Sequence, residues 1–345
     1  MRLGPMQLAI FNASSIAALG LLAMLPGCVT STVILASDDT GTESESGTEA
    51  ESGSESESES EAESEGESES DTDPGTDTDP GTDTDPDEPQ PSGFGGEFVG
   101  GGTGDGFTHI VINIGGSEYK VQGNPWGGAM QTITVGGAAV FTIDSIVHPD
   151  GANDWDIASY PSIYKGTVYD GESTANSGLP IAIDDITAIF TGARTNAEGF
   201  EYQGNTSYHV YLTDAQDYAG GPPETYLMVW LDAKGLNPLN TEGEGWTCGD
   251  SPPTYVDACS GAGETTINGQ TFYRFFGANN TSDIISYVPQ TRVGELEFRL
   301  DDFLQDAVDA GYSSGQMYVQ SIEAGFELAD GGAGLSVEDF YIDVF

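Results

Sequence analysis

Between residues 93 and 345 the chain passes repeatedly through short stretches in which apolar and polar residues alternate. Segments 108–114, 131–135, 140–146, 208–212, 271–276, 296–300 and 335–344 all follow this rhythm, with Gly, Asn and Pro between them. A period of two sends successive side chains to opposite faces, so each stretch has one apolar face to bury. Closely spaced runs of this kind, separated by turn residues, predict an all-β fold, a two-sheet antiparallel β-jelly-roll sandwich. One helix is predicted at about 302–310. Asp302 and Gln305 have capping-box spacing, Phe303, Leu304, Ala307 and Val308 share a face, and Gly311 ends the run.

The rest of the chain divides by composition. Residues 1–27 read as a lipoprotein-type signal peptide: one basic residue, then a mostly apolar run from Leu8 to Leu25 that is short for a membrane span. The run ends in Leu25-Pro26-Gly27-Cys28, which resembles a bacterial lipobox and implies lipidation of Cys28, with an ordinary secretory cleavage as the alternative. Either reading places the protein outside the cytoplasm, at the cell envelope or secreted. Residues 28–92 form an acidic linker of Ser-Glu and then Asp-Thr-Asp-Pro-Gly-Thr repeats, too poor in apolar residues to offset chain entropy. Like charges and regular prolines keep such a chain extended, up to roughly 200 Å. The folded domain is expected over 93–345.

The formal net charge is −49. The linker carries 22 of the 57 acidic residues and no base; the domain keeps 35 acids against 7 bases, about −28. Such a surface repels nucleic acid and anionic polymers and suits a neutral partner. The membrane is a partner only through the lipid anchor. If Cys28 is lipidated, Cys248 and Cys259 remain as a pair flanking a Pro- and Gly-rich loop, and a disulfide between them fits an oxidising compartment. No metal or other cofactor is expected, because His109, His148 and His209 have no ligand spacing near that pair.

Two segments carry a resemblance. Tyr226-Leu227-Met228-Val229-Trp230 is similar to the Glu-Leu-Met-Ile-Trp strand of glycoside hydrolase family 12, and Glu323-Ala324-Gly325-Phe326-Glu327 to its Gln-Ala-Gly-Thr/Phe-Glu strand. Asn124-Pro125-Trp126-Gly127, segment 158–166 around Ser159-Tyr160-Pro161-Ser162, Ser177-Gly178-Leu179-Pro180, Ser207-Tyr208-His209-Val210-Tyr211-Leu212, segment 303–308 and Gly331-Gly332-Ala333-Gly334-Leu335 match further elements in the same order. Members of this family are endo-β-1,4-glucanases and xyloglucanases that work by retention, which requires two carboxyls about 5–5.5 Å apart. The resemblance implies Glu327 as acid/base. It also implies that Tyr226 stands in the nucleophile's place and His209 in that of the supporting Asp. Asn124, Trp126, Tyr211, Met228 and Trp230 are then expected to line a sugar cleft.

Three readings of the site follow. The domain binds β-1,4-glucan without standard hydrolysis, its aromatic faces meeting sugar rings. Or it hydrolyses with relocated carboxylates: Glu224 lies two residues, about 6.6 Å, before Tyr226 on the same face, a displacement nearer the spacing of inverting enzymes. Glu323, where the family usually has Gln, is a further candidate. Or Tyr226 itself is the nucleophile, although a phenol is only about 0.1% ionised at neutral pH. A structural or adhesive surface lipoprotein remains the alternative outside carbohydrate chemistry.

Overall fold

The computed structural model describes residues 88–149, 157–236, 238, 263–279 and 281–345. The expected signal peptide, nearly all of the linker, Cys28, Cys248 and Cys259 lie outside the described residues. In chain order the elements are β1 (Phe98–Gly100), β2 (Gly102–Asp105), β3 (His109–Ile114), β4 (Ser117–Gln122), β5 (Met130–Val135), β6 (Phe141–Val147), β7 (Ser162–Gly166), β8 (Ile181–Ala182) and β9 (Ile189–Thr195). There follow β10 (Tyr202–Thr213), β11 (Thr225–Lys234), β12 (Gly263–Ile267), β13 (Gln270–Ala278), β14 (Asp283–Pro289), β15 (Glu295–Arg299), the helix α1 (Leu300–Asp309), β16 (Tyr318–Gly331) and β17 (Ser336–Val344).

The strands form two sheets, as the alternation predicts. The larger runs β1-β3-β4-β7-β16-β10-β11-β14-β13-β12, with β8 beside β16, and the smaller runs β15-β9-β17-β6-β5-β2. One face of each sheet closes on the other. Tyr208, Val210 and Leu212 of β10, Leu227, Val229 and Leu231 of β11 and Ile322, Ala324, Phe326 and Leu328 of β16 are buried in one cluster with Ile133, Phe141, Phe340 and Ile342 of the smaller sheet. Edge-on ring contacts join the layers, Phe141 to Phe326 at 6.1 Å and Tyr208 to Phe298 at 5.1 Å. Each fully buried side chain of this size contributes about 1.5–3 kcal/mol relative to exposure. Because this face of β10, β11 and β16 is fixed in the core, alternation commits the opposite face of the same strands to the other side of the sheet.

Two features differ from the sequence reading. First, the sheets are not purely antiparallel: β14 runs parallel to β11, with Tyr226 beside Ile284 and Met228 beside Ser286. Alternation within a strand says nothing about the direction of its neighbour. Second, Asp302 and Gln305 do not form a capping box. The helix starts two residues earlier, with Arg299 at the N-cap and no side-chain cap bond, and Gln305 instead donates to Asp309 at 2.8 Å. Leu300 is fully buried, and Asp301 accepts from Arg299 Nη2 at 2.6 Å and from Ile189 N at 3.0 Å. Core packing and a tie to β9 therefore set the start. The helix end is as expected: Gly311 has φ +80°, its N donates to Val308 O, and Tyr312 N donates to Ala307 O, the two bonds of a Schellman motif.

Candidate functional site

On the face of the larger sheet turned away from the core, register brings the singled-out residues into rows. Glu323 of β16 stands beside His209 of β10, which stands beside Met228 of β11. The next row is Ser321, Tyr211 and Tyr226, and Glu327 pairs with Asn205.

Glu327 is anchored by Asn205, whose Nδ2 donates to Oε2 at 2.5 Å. Ser207 Oγ donates to Asn205 Oδ1 at 2.7 Å, which fixes the amide's orientation. Burial pushes the Glu327 carboxyl up to about 7, with the Asn205 bond pulling the other way and no neighbouring carboxylate contributing. His209 Nε2 lies 3.7 Å from Glu327 Oε1. The contact is not an ion pair: burial lowers His209 to about 3, so the imidazole is neutral, and Nε2 has no hydrogen bond. The imidazole stacks on Tyr160 at 4.0 Å and 11°.

Tyr226 meets Tyr211 edge-on at 5.0 Å and His209 at 6.3 Å. Burial raises its phenol above the ordinary value, the Glu323 and Glu327 charges add to that, and a bond from Tyr211 opposes it. Ionisation of Tyr226 at neutral pH is thus made harder by its surroundings, which counts against a tyrosine nucleophile.

Glu323 is fully buried. Its Oε2 accepts from Gln122 Nε2 at 3.0 Å and Ser162 Oγ at 2.9 Å. Burial raises it to about 7, opposed by bonds to Ser162, Tyr211 and Gln122. Although the Tyr211 hydroxyl is within reach, Oε1 receives no well-directed hydrogen bond. Glu323 and Glu327 are four residues apart on one strand, about 13 Å between Cα atoms.

Glu224 sits just before β11 and is exposed; its Oε2 accepts from Asp214 N at 3.2 Å. It lines a cavity of ≈ 590 Å³ beside the helix's C-terminal turn, with Asp214, Asp283, Tyr312 and Met317. Asn124 and Trp126 lie on the loop between β4 and β5. Asn124 O accepts from Tyr160 N at 3.0 Å and Gly127 N donates to Ala158 O at 3.1 Å, which pins the loop beside Tyr160. Trp126 is 58% exposed, whereas Tyr211, Met228 and Trp230 are buried. Met228 and Trp230 belong to a second apolar cluster on this face with Phe275, Ile284 and Val288, and Trp230 Nε1 has no partner. Among the described residues no group of three or more His, Cys, Asp or Glu is placed to hold a metal ion.

The residues that position these groups were not singled out from sequence. Asn205 was open to discovery, since it shares the alternation of His209 and Tyr211. Tyr160 and Ser162 fall within a matched segment, but nothing local marks them as partners of His209 and Glu323. Gln122 reaches Glu323 across 201 residues of chain.

A jelly-roll sandwich that holds a buried glutamate, its carboxyl raised to about 7, on the outer face of its larger sheet has the framework of a glycan-cleaving enzyme. The sequence profile of glycosyl hydrolase family 12 matches residues 117–345, and the chain belongs to that family. It is 26% identical over 201 residues to the xyloglucan-specific endo-beta-1,4-glucanase A of Aspergillus niger, covering 56% of this chain and 76% of that protein. Among solved structures, the endoglucanase cel12A from Rhodothermus marinus is 26% identical with a TM-score of 0.58, covering 71% of this chain and 99% of that one. A metagenome-derived family 12 endoglucanase is 27% identical with a TM-score of 0.56, covering 75% and 99%.

Proposed function

We propose that this domain binds a β-1,4-linked glucan of the cellulose or xyloglucan type and lacks the standard retaining hydrolysis of its family. The observation that carries this reading is the solitary state of Glu327. Burial raises its carboxyl to about 7, no carboxylate among the described residues contributes to that shift, and on the family resemblance Tyr226 stands in the nucleophile's place. A protonated glutamate can still donate to a glycosidic oxygen, but among the described residues no carboxylate stands beside it to capture the anomeric carbon. The choice of ligand rests on the relatives, which include enzymes named for xyloglucan and β-1,4-glucan. The alternative of an active enzyme using Glu224 is weakened by that residue's exposure, its bond to Asp214 and its place on the end cavity.

Affinity electrophoresis against xyloglucan, lichenan and carboxymethyl cellulose is expected to show retention, with no release of reducing sugar. Sugar release that disappears in Glu327→Gln would overturn the binding-only reading. Absence of both retention and hydrolysis would favour the adhesive alternative. We also infer export and lipid anchoring at Cys28, the acidic linker holding the domain away from the membrane. Labelled palmitate should enter the wild-type chain and not Cys28→Ala; equal labelling refutes the anchor.

A further inference from the structure

The proposed glucan reading leaves one buried group without a role. Glu323 is a fully buried carboxyl, and among the described residues no base pairs with it. The domain's seven basic side chains are committed elsewhere. Lys120 pairs with Glu172, Arg194 with Glu295, Arg274 with Asp306, Arg292 with Asp232 and Arg299 with Asp301. Lys165 and Lys234 donate to backbone carbonyls. Gln122 and Ser162 donate to Glu323 Oε2, while Oε1, fully buried, has the Tyr211 hydroxyl within reach but no well-directed hydrogen bond. A buried carboxyl in this condition is either kept protonated or awaits a cation from outside.

The surroundings favour a cation. Tyr211 and Tyr226 lie in the row next to Glu323, their rings edge-on at 5.0 Å. Two more tyrosines come from loops that are tied together: Gly221 N donates to Tyr169 O, and the Tyr218 hydroxyl donates to Gly221 O. Tyr169 is 54% exposed, and Tyr218 and Tyr226 are partly exposed, so a rim of phenol rings opens to solvent above the carboxyl. Thr167 N donates to Gln320 O and Gln320 Nε2 donates to Ala215 O, which ties both loops to β16 beside the Ser321, Tyr211 and Tyr226 row. Aromatic faces around a desolvated carboxylate are the chemistry that recognises organic ammonium groups.

Resting on the reading that this face binds a β-1,4-linked glycan, we propose that the rim of Tyr169, Tyr218 and Tyr226 above Glu323 is a subsite for a cationic sugar. The glycan it prefers carries protonated glucosamine in place of glucose. The ammonium group sits against the phenol rings, and the Glu323 carboxylate supplies the counter-charge through the Tyr211 and Tyr226 hydroxyls. Glu323 rather than Gln at this position then has a purpose, as does an acidic domain with no basic side chain to spare.

The test is calorimetric titration of the full chain with a β-1,4 glucosamine hexamer, an N-acetylglucosamine hexamer and cellohexaose, at about pH 7, still below the range of an ordinary amine and where the Glu323 carboxyl, raised to about 7, ionises. The glucosamine hexamer is expected to bind at least about fivefold tighter than the two neutral hexamers. Glu323→Gln should bring that ratio to within about twofold. Wild type and variant share the acidic linker, so a difference between them belongs to this subsite. Tyr169→Ala, an exposed position, should reduce the ratio in the same sense and serves if Glu323→Gln fails to fold. Binding of cellohexaose without preference for glucosamine, or a preference that survives both substitutions, overturns the subsite alone. Failure of all three hexamers to bind overturns the glycan-binding reading and the subsite with it.

Discussion

Burial drives three side chains on the functional face toward their neutral forms. Glu323 and Glu327 rise from 4.5 to about 7, and His209 falls from 6.5 to about 3. A glutamate raised on folding holds its proton where the unfolded chain releases it. Its contribution is full below about pH 4.5 and is lost as pH climbs through about 7. His209 behaves oppositely: its contribution is present above about 6.5 and is lost as pH falls toward about 3. Glu323→Gln keeps the shape of the protonated acid. It should match wild type near pH 4 and exceed it near pH 8 by up to roughly 3 kcal/mol in chemical denaturation. A difference that does not change with pH would show that Glu323 is not titrating as its burial demands. The same scale offers a test by gain of function. If Tyr226 and His209 are what disable double displacement, Tyr226→Glu combined with His209→Asp should raise sugar release from β-glucan at least about a hundredfold, with the β-anomer formed first. No gain would mean that more of the machinery than these two positions has changed.

Among the elements, β16 does most to place the site, and Gly325 lies midway between its two glutamates. A Cβ at Gly325 would fall 2.1 Å from Pro161 O and 2.8 Å from Ser162 Cα, both backbone atoms of the neighbouring segment. Gly325→Ala must therefore push β7 away from β16, strain the Phe326 N to Pro161 O bond and shift the Ser162 hydroxyl from Glu323. A loss of more than about 2 kcal/mol is expected, with the calorimetric preference for a cationic ligand falling too. Gly311→Ala is the control: its φ is +80° but nothing lies within 4 Å of the added carbon, so the cost should be only about 1 kcal/mol. These contrasts show what sequence could reveal. Alternation exposes the strands, and the same period puts Leu227, Val229 and Leu231 in the main core and Met228 and Trp230 in the second cluster with Tyr226 packed on it, because a period of two is local. It could not expose the parallel pairing of β11 and β14, the helix start set by the burial of Leu300, or the bonds from Gln122 and Ser162 to Glu323. Those depend on which strands become neighbours, and no local pattern encodes that.

Over the whole domain the balance of charge is lopsided, about −28 across 93–345 with every basic side chain already engaged. Two effects of salt then compete. Screening weakens the Lys and Arg pairs to carboxylates, but the four nearer the surface are worth only about 0–1 kcal/mol each, and the fifth, Arg292 with the buried Asp232, is screened less. Screening also relieves the mutual repulsion of the carboxylates that have no base beside them, and these outnumber the paired ones. Raising sodium chloride from about 0.1 to about 1 M shortens the screening length from about 10 to about 3 Å, below the spacing of most surface charges. The melting temperature should therefore rise with salt, and rise more at neutral pH than near pH 4, where the exposed carboxylates approach their ordinary titration range. A melting temperature that falls with salt would mean that the few ion pairs outweigh the repulsion. The same screening should weaken capture of a cationic glycan by the outer surface more than by the buried Glu323 subsite. Wild type and Glu323→Gln should then differ in glucosamine preference even at high salt, when attraction to the rest of the acidic chain has been suppressed.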